Sequence, residues 1–417
     1  MPGGVVTGLS LRRVTDIPAS PAETLRTSAD ARRPLRAATG ALTTTVAVSI
    51  PVFLVGGLAV QIGDEFGFSP AGLGLAVSVY FGASALASVP AGALVERYGP
   101  ATISRSAIAL AATSLLGVAA GARSLWSLVA ILALGAAANA LGQLASNSSL
   151  AVHVPVRRQG LSFGVKQAAI PICTLLAGAA VPVVALTFGW RWAFILAAVL
   201  ALTVMPLVPA GEKPGRTTGT TNHGQATAAL VVIGAAATLA SGAANALGTF
   251  LVDSAVARGI SPGPAGLTLT LGGAVCVLSR IAGGWQADRL PGRQVGVIAG
   301  LLAVGAVGLV LLAVPGTPAL VVGVLLGFGF GWAWPGLMNF AVVRLHPRAP
   351  AAATSITQTG VYAGGCIGPL SLGTLASIAG YPVMWAVAAL SMVSAACLMI
   401  LGSKMLRRHP ATAATAA

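Results

Sequence analysis

Two side chains in this 417-residue chain are able to do chemistry where chemistry is costly: Lys166 and Arg280. Each lies inside a long apolar run, eight residues from the charged residue at that run's end, Arg158 for Lys166 and Asp288 for Arg280. In a helix that spacing is on the order of 12 Å of depth. A buried ammonium can shed its proton, whereas a guanidinium effectively cannot. The acidic residues are Asp16, Glu23, Asp30, Asp64, Glu65, Glu96, Glu212, Asp253 and Asp288. All but Asp253 fall in tails, loops or the ends of runs, and Asp253 sits near an outer end, so none neutralises either cation at its depth. A bound anion is the simplest partner, with arginine as a fork and lysine as a point charge. The alternative is that each cation bonds backbone carbonyls or snorkels to an interface.

Polar residues recur every four positions on four further runs, the spacing of one helix face. They are Asn139, Gln143 and Asn147; Ser241, Asn245, Thr249 and Asp253; Thr354, Gln358 and Tyr362; and Tyr80, Ser84 and Ser88. Such faces line a wetted cavity or hydrogen-bond between helices. Trp332 and Trp334, beside glycines and Pro335, are suited to gating or stacking on a ligand, or equally to core packing. The four cysteines lie in apolar runs without CxxC spacing, which points to neither disulfides nor a metal.

The elements that position these residues follow from composition. Charged residues make up 8% of the chain and apolar ones 56%, with a mean hydropathy of +0.88. A soluble chain has about 25% charged residues, so a soluble enzyme, a nucleic-acid binder and a disordered chain are excluded. A helix crosses the hydrocarbon core in about 20 apolar residues. Twelve runs qualify: 38–62, 70–94, 103–122, 125–150, 160–187, 191–209, 227–252, 264–287, 294–314, 317–343, 351–376 and 380–403. Apolar residues surround each run, and the two-residue period of a membrane β-barrel is absent. Nineteen Lys and Arg fall in the two tails and the even-numbered loops, against three (Arg123, Arg191 and Arg258) in the odd-numbered ones. The positive-inside rule then puts both termini in the cytoplasm.

The second half repeats the first. A shift of 192 residues lays Gly92, Glu96 and Arg97 on Gly284, Asp288 and Arg289, and Gly67, Ser69 and Pro70 on Gly259, Ser261 and Pro262. A shift of 191 lays Arg157 on Arg348, Gln167 on Gln358 and Phe194 on Trp385. Parallel six-span repeats mark a class of secondary transporter. The expected architecture is an all-α membrane protein of twelve transmembrane helices in two pseudo-symmetric six-helix bundles. Its segments are a disordered cytoplasmic arm at 1–36, bundles at 37–210 and 227–403, a linker at 211–226 and a tail at 404–417.

At this point the chain resembles the major facilitator superfamily. The loop motif Gly-x-x-x-Asp-Arg-x-Gly-Arg-Arg is matched as Gly92-x-x-x-Glu96-Arg97-x-Gly99, and again as Gly284-x-x-x-Asp288-Arg289-x-x-Gly292-Arg293. A glycine there admits a second helix closely, and the acid and arginine can latch one helix end to another until transport breaks the pair. The resemblance implies that spans five and eight are neighbours, so that Lys166 and Arg280 share one cavity. It also implies that spans one, four, seven and ten line that cavity. Arg280-x-x-x-Gly284-x-x-Ala287-Asp288 is similar to the eighth span of monocarboxylate transporters, whose arginine binds the substrate carboxylate. Those proteins carry an aspartate where this chain has Cys276, so their proton-coupling device is missing.

The expected function is therefore alternating-access transport of a small organic anion across the plasma membrane, coupled to H+ or Na+ or uncoupled. Substrate contacts are expected from Arg280, Lys166, Asn139, Gln143, Asn245, Gln358, Tyr80, Tyr362 and Trp332, and gating from Gly92, Glu96, Arg97, Gly284, Asp288 and Arg289. A proton-coupled efflux antiporter is the alternative, disfavoured by a first span without a carboxylate and by Asn139 near the expected arginine position. An enzyme would need converging catalytic groups, but His153, His223, His346 and His409 all lie on the cytoplasmic side, with no Ser/His/acid set placed to converge. No cofactor, metal or nucleic acid is expected, and the chain is expected to be a monomer among membrane lipids.

Overall fold

Backbone polar groups in hydrocarbon must be satisfied within their own segment, which makes each apolar run a helix. In the computed structural model, residues 21–154, 159–209, 228–289, 294–345 and 350–408 are described, and every element among them is helical. The first half comprises α1 (Pro21–Gly57), α2 (Ala59–Phe66), α3 (Pro70–Tyr98), α4 (Pro100–Gly121), α5 (Leu125–His153), α6 (Gln159–Gln167), α7 (Ala169–Ala180), α8 (Leu186–Phe188) and α9 (Trp190–Thr203). The second half comprises α10 (Ala228–Val256), α11 (Pro262–Arg289), α12 (Gln294–Ala313), α13 (Thr317–Leu326), α14 (Trp334–Leu345) and α15 (Pro350–Arg408). Single π-helical turns at Val181–Ala185 and Gly327–Gly331 link α7 to α8 and precede α14.

Eleven stretches of the described residues are long and apolar enough to cross a membrane. The last, Thr357–Met405, has 49 residues, about 74 Å of helix against a hydrocarbon core of about 30 Å. It is not one rod, because Gly380 in its interior has φ 83° and ψ 167°. Gly99, between α3 and α4, has the same kind of backbone, with φ 82° and ψ 153°. An L side chain rarely adopts such angles, which glycine takes freely. Helix α1 already runs from Pro21 through the arm assigned to 1–36, over a stretch rich in the good helix formers Ala, Leu and Arg. Residues 404–408 continue α15. The linker at 211–226 and residues 1–20 and 409–417 lie outside the described residues.

The outward faces are apolar: Leu86, Leu134 and Ile378 are at least three-quarters exposed, as lipid-facing side chains should be. Inward, small residues let backbones touch. On the far side of the molecule, opposite the α3–α4 turn, a Cβ at Gly74 would sit 2.2 Å from the Pro369 carbonyl oxygen. One at Gly56 would sit 2.4 Å from that of Gly248, and one at Gly178 would sit 2.5 Å from that of Gly266. Each contact joins a helix of the first half to one of the second. Together they bring the two halves into backbone contact on the far side.

Candidate functional site

The site is built where helices break. The first break is at Ala168, between α6 and α7. Three residues later Pro171 has no N–H, so the carbonyl of Gln167 has no helical donor four residues on. The second break is the π turn before Trp332, whose own backbone (φ −112°, ψ 4°) is not helical. Both breaks present carbonyls to the same side chain. The Arg280 guanidinium donates from Nε and Nη2 to the Trp332 carbonyl, at 3.1 and 2.8 Å, and from Nη1 to the Gln167 carbonyl. Arg280 is 4% exposed.

Lys166, beside the first break, is 2% exposed. Its Nζ donates to Gln143 Oε1 at 2.6 Å and to Asn147 Oδ1 at 2.8 Å, both on α5. Two of its three donors are thus held by amide oxygens. Neutral oxygens thus solvate both cations, and Arg280 bonds backbone carbonyls as in the alternative weighed for it. Their charge is not cancelled, because among the described residues no carboxylate pairs with either. Asp253, near the far end of α10, accepts instead from the Tyr381 hydroxyl.

All nine side chains expected to contact a substrate line a single cavity of about 320 Å3, together with Ser49, Phe53, Asn147, Gln167, Trp334 and Asn339. Both halves of the chain contribute to it. Within it the polar groups are tied differently. Asn139 accepts from the Ser49 hydroxyl at 3.2 Å and donates to Ser84 Oγ at 3.3 Å. Asn245 donates from Nδ2 to the Ser241 carbonyl and hydroxyl. The Tyr80 hydroxyl donates to the Val48 carbonyl at 2.8 Å, which fixes it as a strut between α3 and α1. Trp332 packs between Phe53 and Phe328, with ring centroids 5.9 and 5.5 Å away, and makes the apolar wall. The side chains of Thr249 and Ser84 bond backbone carbonyls instead of facing the cavity, so the four-residue stripes overstate the wetted surface. Gln167 and Asn339 were missed. The signal for Gln167 was present, since it repeats Gln358.

The expected latch residues divide. A Cβ at Gly164 would lie 3.4 Å from the Cα of Gly284, so the close approach expected at Gly284 exists, between α6 and α11. At Gly92 it does not: a Cβ there meets nothing within 4 Å. The last turn of α3 projects outward, with Leu94, Glu96, Arg97 and Tyr98 exposed, and Arg97 lies over the Tyr98 ring, with no bridge to another helix among the described residues. The side chains of Asp288 and Arg289 lie outside the described residues.

On the far side, Glu65 receives two 2.7 Å bonds from Arg191 and one of 2.8 Å from Trp190 Nε1. The Arg191 fork, aided by Trp190, holds the Glu65 carboxyl below its ordinary value.

A sequence profile described as the Major Facilitator Superfamily matches residues 40–369 and 231–416. Among solved structures, a bacterial homologue of the human lysosomal transporter Spinster, in an inward-facing and occupied conformation, aligns with a TM-score of 0.65 at 16% identity. That alignment covers 92% of this chain and 96% of that one. A D-xylose–proton symporter aligns with a TM-score of 0.67 at 18% identity, covering 86% and 96%.

Proposed function

The chain belongs to the major facilitator superfamily, and on that premise we propose that it carries a small organic anion across the plasma membrane by alternating access. One observation carries the anionic reading. Arg280 and Lys166 line the same cavity, nearly sealed from solvent, and no described carboxylate balances them. Neutral oxygens spread such charge without cancelling it, so an entering anion gains the attraction of both cations in a medium that screens poorly. Arg280 grips the anion as a fork and Lys166 as a point charge, while Gln143, Asn139, Asn245, Gln358 and Tyr362 supply hydrogen bonds. Phe53 and Trp332 face the apolar part of the cargo. The lack of a described carboxylate in the cavity disfavours the alternative, efflux of cationic drugs, because nothing there would attract a cation.

In this reading the last apolar stretch is two spans divided at Gly380, giving twelve spans in two bundles with both termini cytoplasmic. The bundles rock about the cavity. The seal on the far side, made by the glycine contacts, opens as the near side closes, and Glu96 and Arg97 then find partners on a neighbouring helix end. The test is thermal melting of the detergent-purified protein with carboxylates, sulfonates, phosphates and lipophilic cations. A ligand bound only by the folded state raises the melting temperature. One anion class should stabilise the wild type and not Arg280→Gln. Stabilisation by lipophilic cations alone would refute the anionic reading.

A further inference from the structure

Arg280 does more than wait for cargo, because it is already engaged across the two halves of the chain. Its anchor in the second half is the Trp332 carbonyl, freed by the break before α14. Its anchor in the first half is the Gln167 carbonyl. That carbonyl lacks a helical donor for one covalent reason: the residue four places on is Pro171, which has no N–H. Pro171 is buried in the seam itself. A Cβ at Gly273 of α11 would lie 2.7 Å from the Pro171 carbonyl oxygen and 2.6 Å from the Leu175 nitrogen. Nearer the α3–α4 side, a Cβ at Gly164 would lie 3.4 Å from Gly284. The α6–α7 span and α11 therefore touch backbone to backbone on either side of the Arg280–Gln167 contact.

We propose that Pro171 is a positioning residue that makes the Gln167 carbonyl a resident ligand of Arg280, tying the halves together at mid-depth until an anionic cargo displaces it. Three of the five N–H donors of the fork are engaged, at Nε, Nη1 and Nη2, so a carboxylate or phosphate that takes the whole fork competes for donors the protein is using. The Trp332 bonds stay within the second half, whereas the Gln167 bond crosses between halves and is broken only by parting them or by competition. Cargo binding then replaces an inter-half bond with a bond to cargo and loosens α6–α7 from α11. This rests on the anionic reading for the displacement step alone; the tie stands on the apo geometry.

Replacing Pro171 by any other residue restores the missing N–H, which satisfies the Gln167 carbonyl within its own helix. The first measurement needs no ligand: a double-mutant cycle of melting temperatures with P171A, R280Q and the pair. If the carbonyl depends on Arg280, R280Q strands a buried acceptor in the wild-type background and not in the P171A background. The loss caused by R280Q should fall to about half or less when P171A is present. P171G restores the same N–H and serves the same cycle should P171A accumulate poorly. The second measurement titrates whichever anion stabilises the wild type. P171A should lower the half-maximal concentration by about tenfold, since Arg280 no longer has to be won from the carbonyl. Additive losses in the cycle overturn the tie. An unchanged anion affinity in P171A overturns the displacement. A wild type that no anion stabilises refutes the anionic carrier instead, and the melting cycle still decides the tie.

Discussion

At the residue scale, the cavity shows how a membrane protein keeps charge where charge is expensive. Lys166 is held by two side-chain amides of α5, and a bond from a charged donor contributes about 1.5–3 kcal/mol. Gln143→Leu should therefore lower stability by about 1–3 kcal/mol, read as a lower melting temperature, because it leaves a buried ammonium with one acceptor. A change within error would mean that water replaces the amide. On the far side, Arg191 keeps the folded-state Glu65 below its ordinary value of 4.5. A carboxylate so depressed stabilises the fold above its unfolded value, and that contribution disappears as pH falls through the folded one. The melting-temperature gap between wild type and Glu65→Gln should be open at pH 7 and close as the pH falls below about 4.5. A gap constant down to pH 3 would show that the Arg191 pairing does not contribute. The sequence made Lys166 and Arg280 legible because each is a lone charge in an apolar run. It showed Gln143 and Asn147 as polar residues of one stripe without pairing them to Lys166, and it hid the partners of Arg280, which are backbone carbonyls that only the fold brings within its reach.

At the scale of elements, small residues determine which helices touch. Helix α3 shows both cases on one rod. At Gly74 a Cβ would collide with the Pro369 backbone, whereas at Gly92 it meets open space. Gly74→Ala should destabilise the protein by more than about 1 kcal/mol, through overpacking against rigid backbone. Gly92→Ala should be neutral or stabilising by up to about 1 kcal/mol, from helix propensity alone. Melting curves of the two variants side by side check this, and equal losses would mean that Gly92 has a neighbour. Long apolar stretches were legible from apolar length, and the Gly380 break falls where the run 380–403 was read to begin. Whether the Gly92 motif brings a second helix close was not legible, because a glycine permits a close approach without supplying the neighbour. The helical run from Pro21 through the arm was also hidden, because low hydropathy marks a segment as outside the bilayer and says nothing of its backbone.

At the scale of the whole molecule, the two halves meet on the far side through paired glycine contacts, at mid-depth through Arg280 and again between Gly164 and Gly284, around a cavity lined by both. The duplication was readable as a shift of 191 to 192 residues, and it placed Gln167 against Gln358, both of which line the cavity. Cargo class was readable only as charge. The central claim is that this cavity moves an organic anion by means of Arg280. Its most direct test is counterflow in proteoliposomes: protein reconstituted with the anion that stabilises it inside, and the labelled anion supplied outside. Wild type should accumulate label transiently and saturably. R280Q, reconstituted to the same density, should show none above protein-free vesicles. Counterflow that survives R280Q undiminished, or label accumulation seen only with a lipophilic cation, would contradict the account.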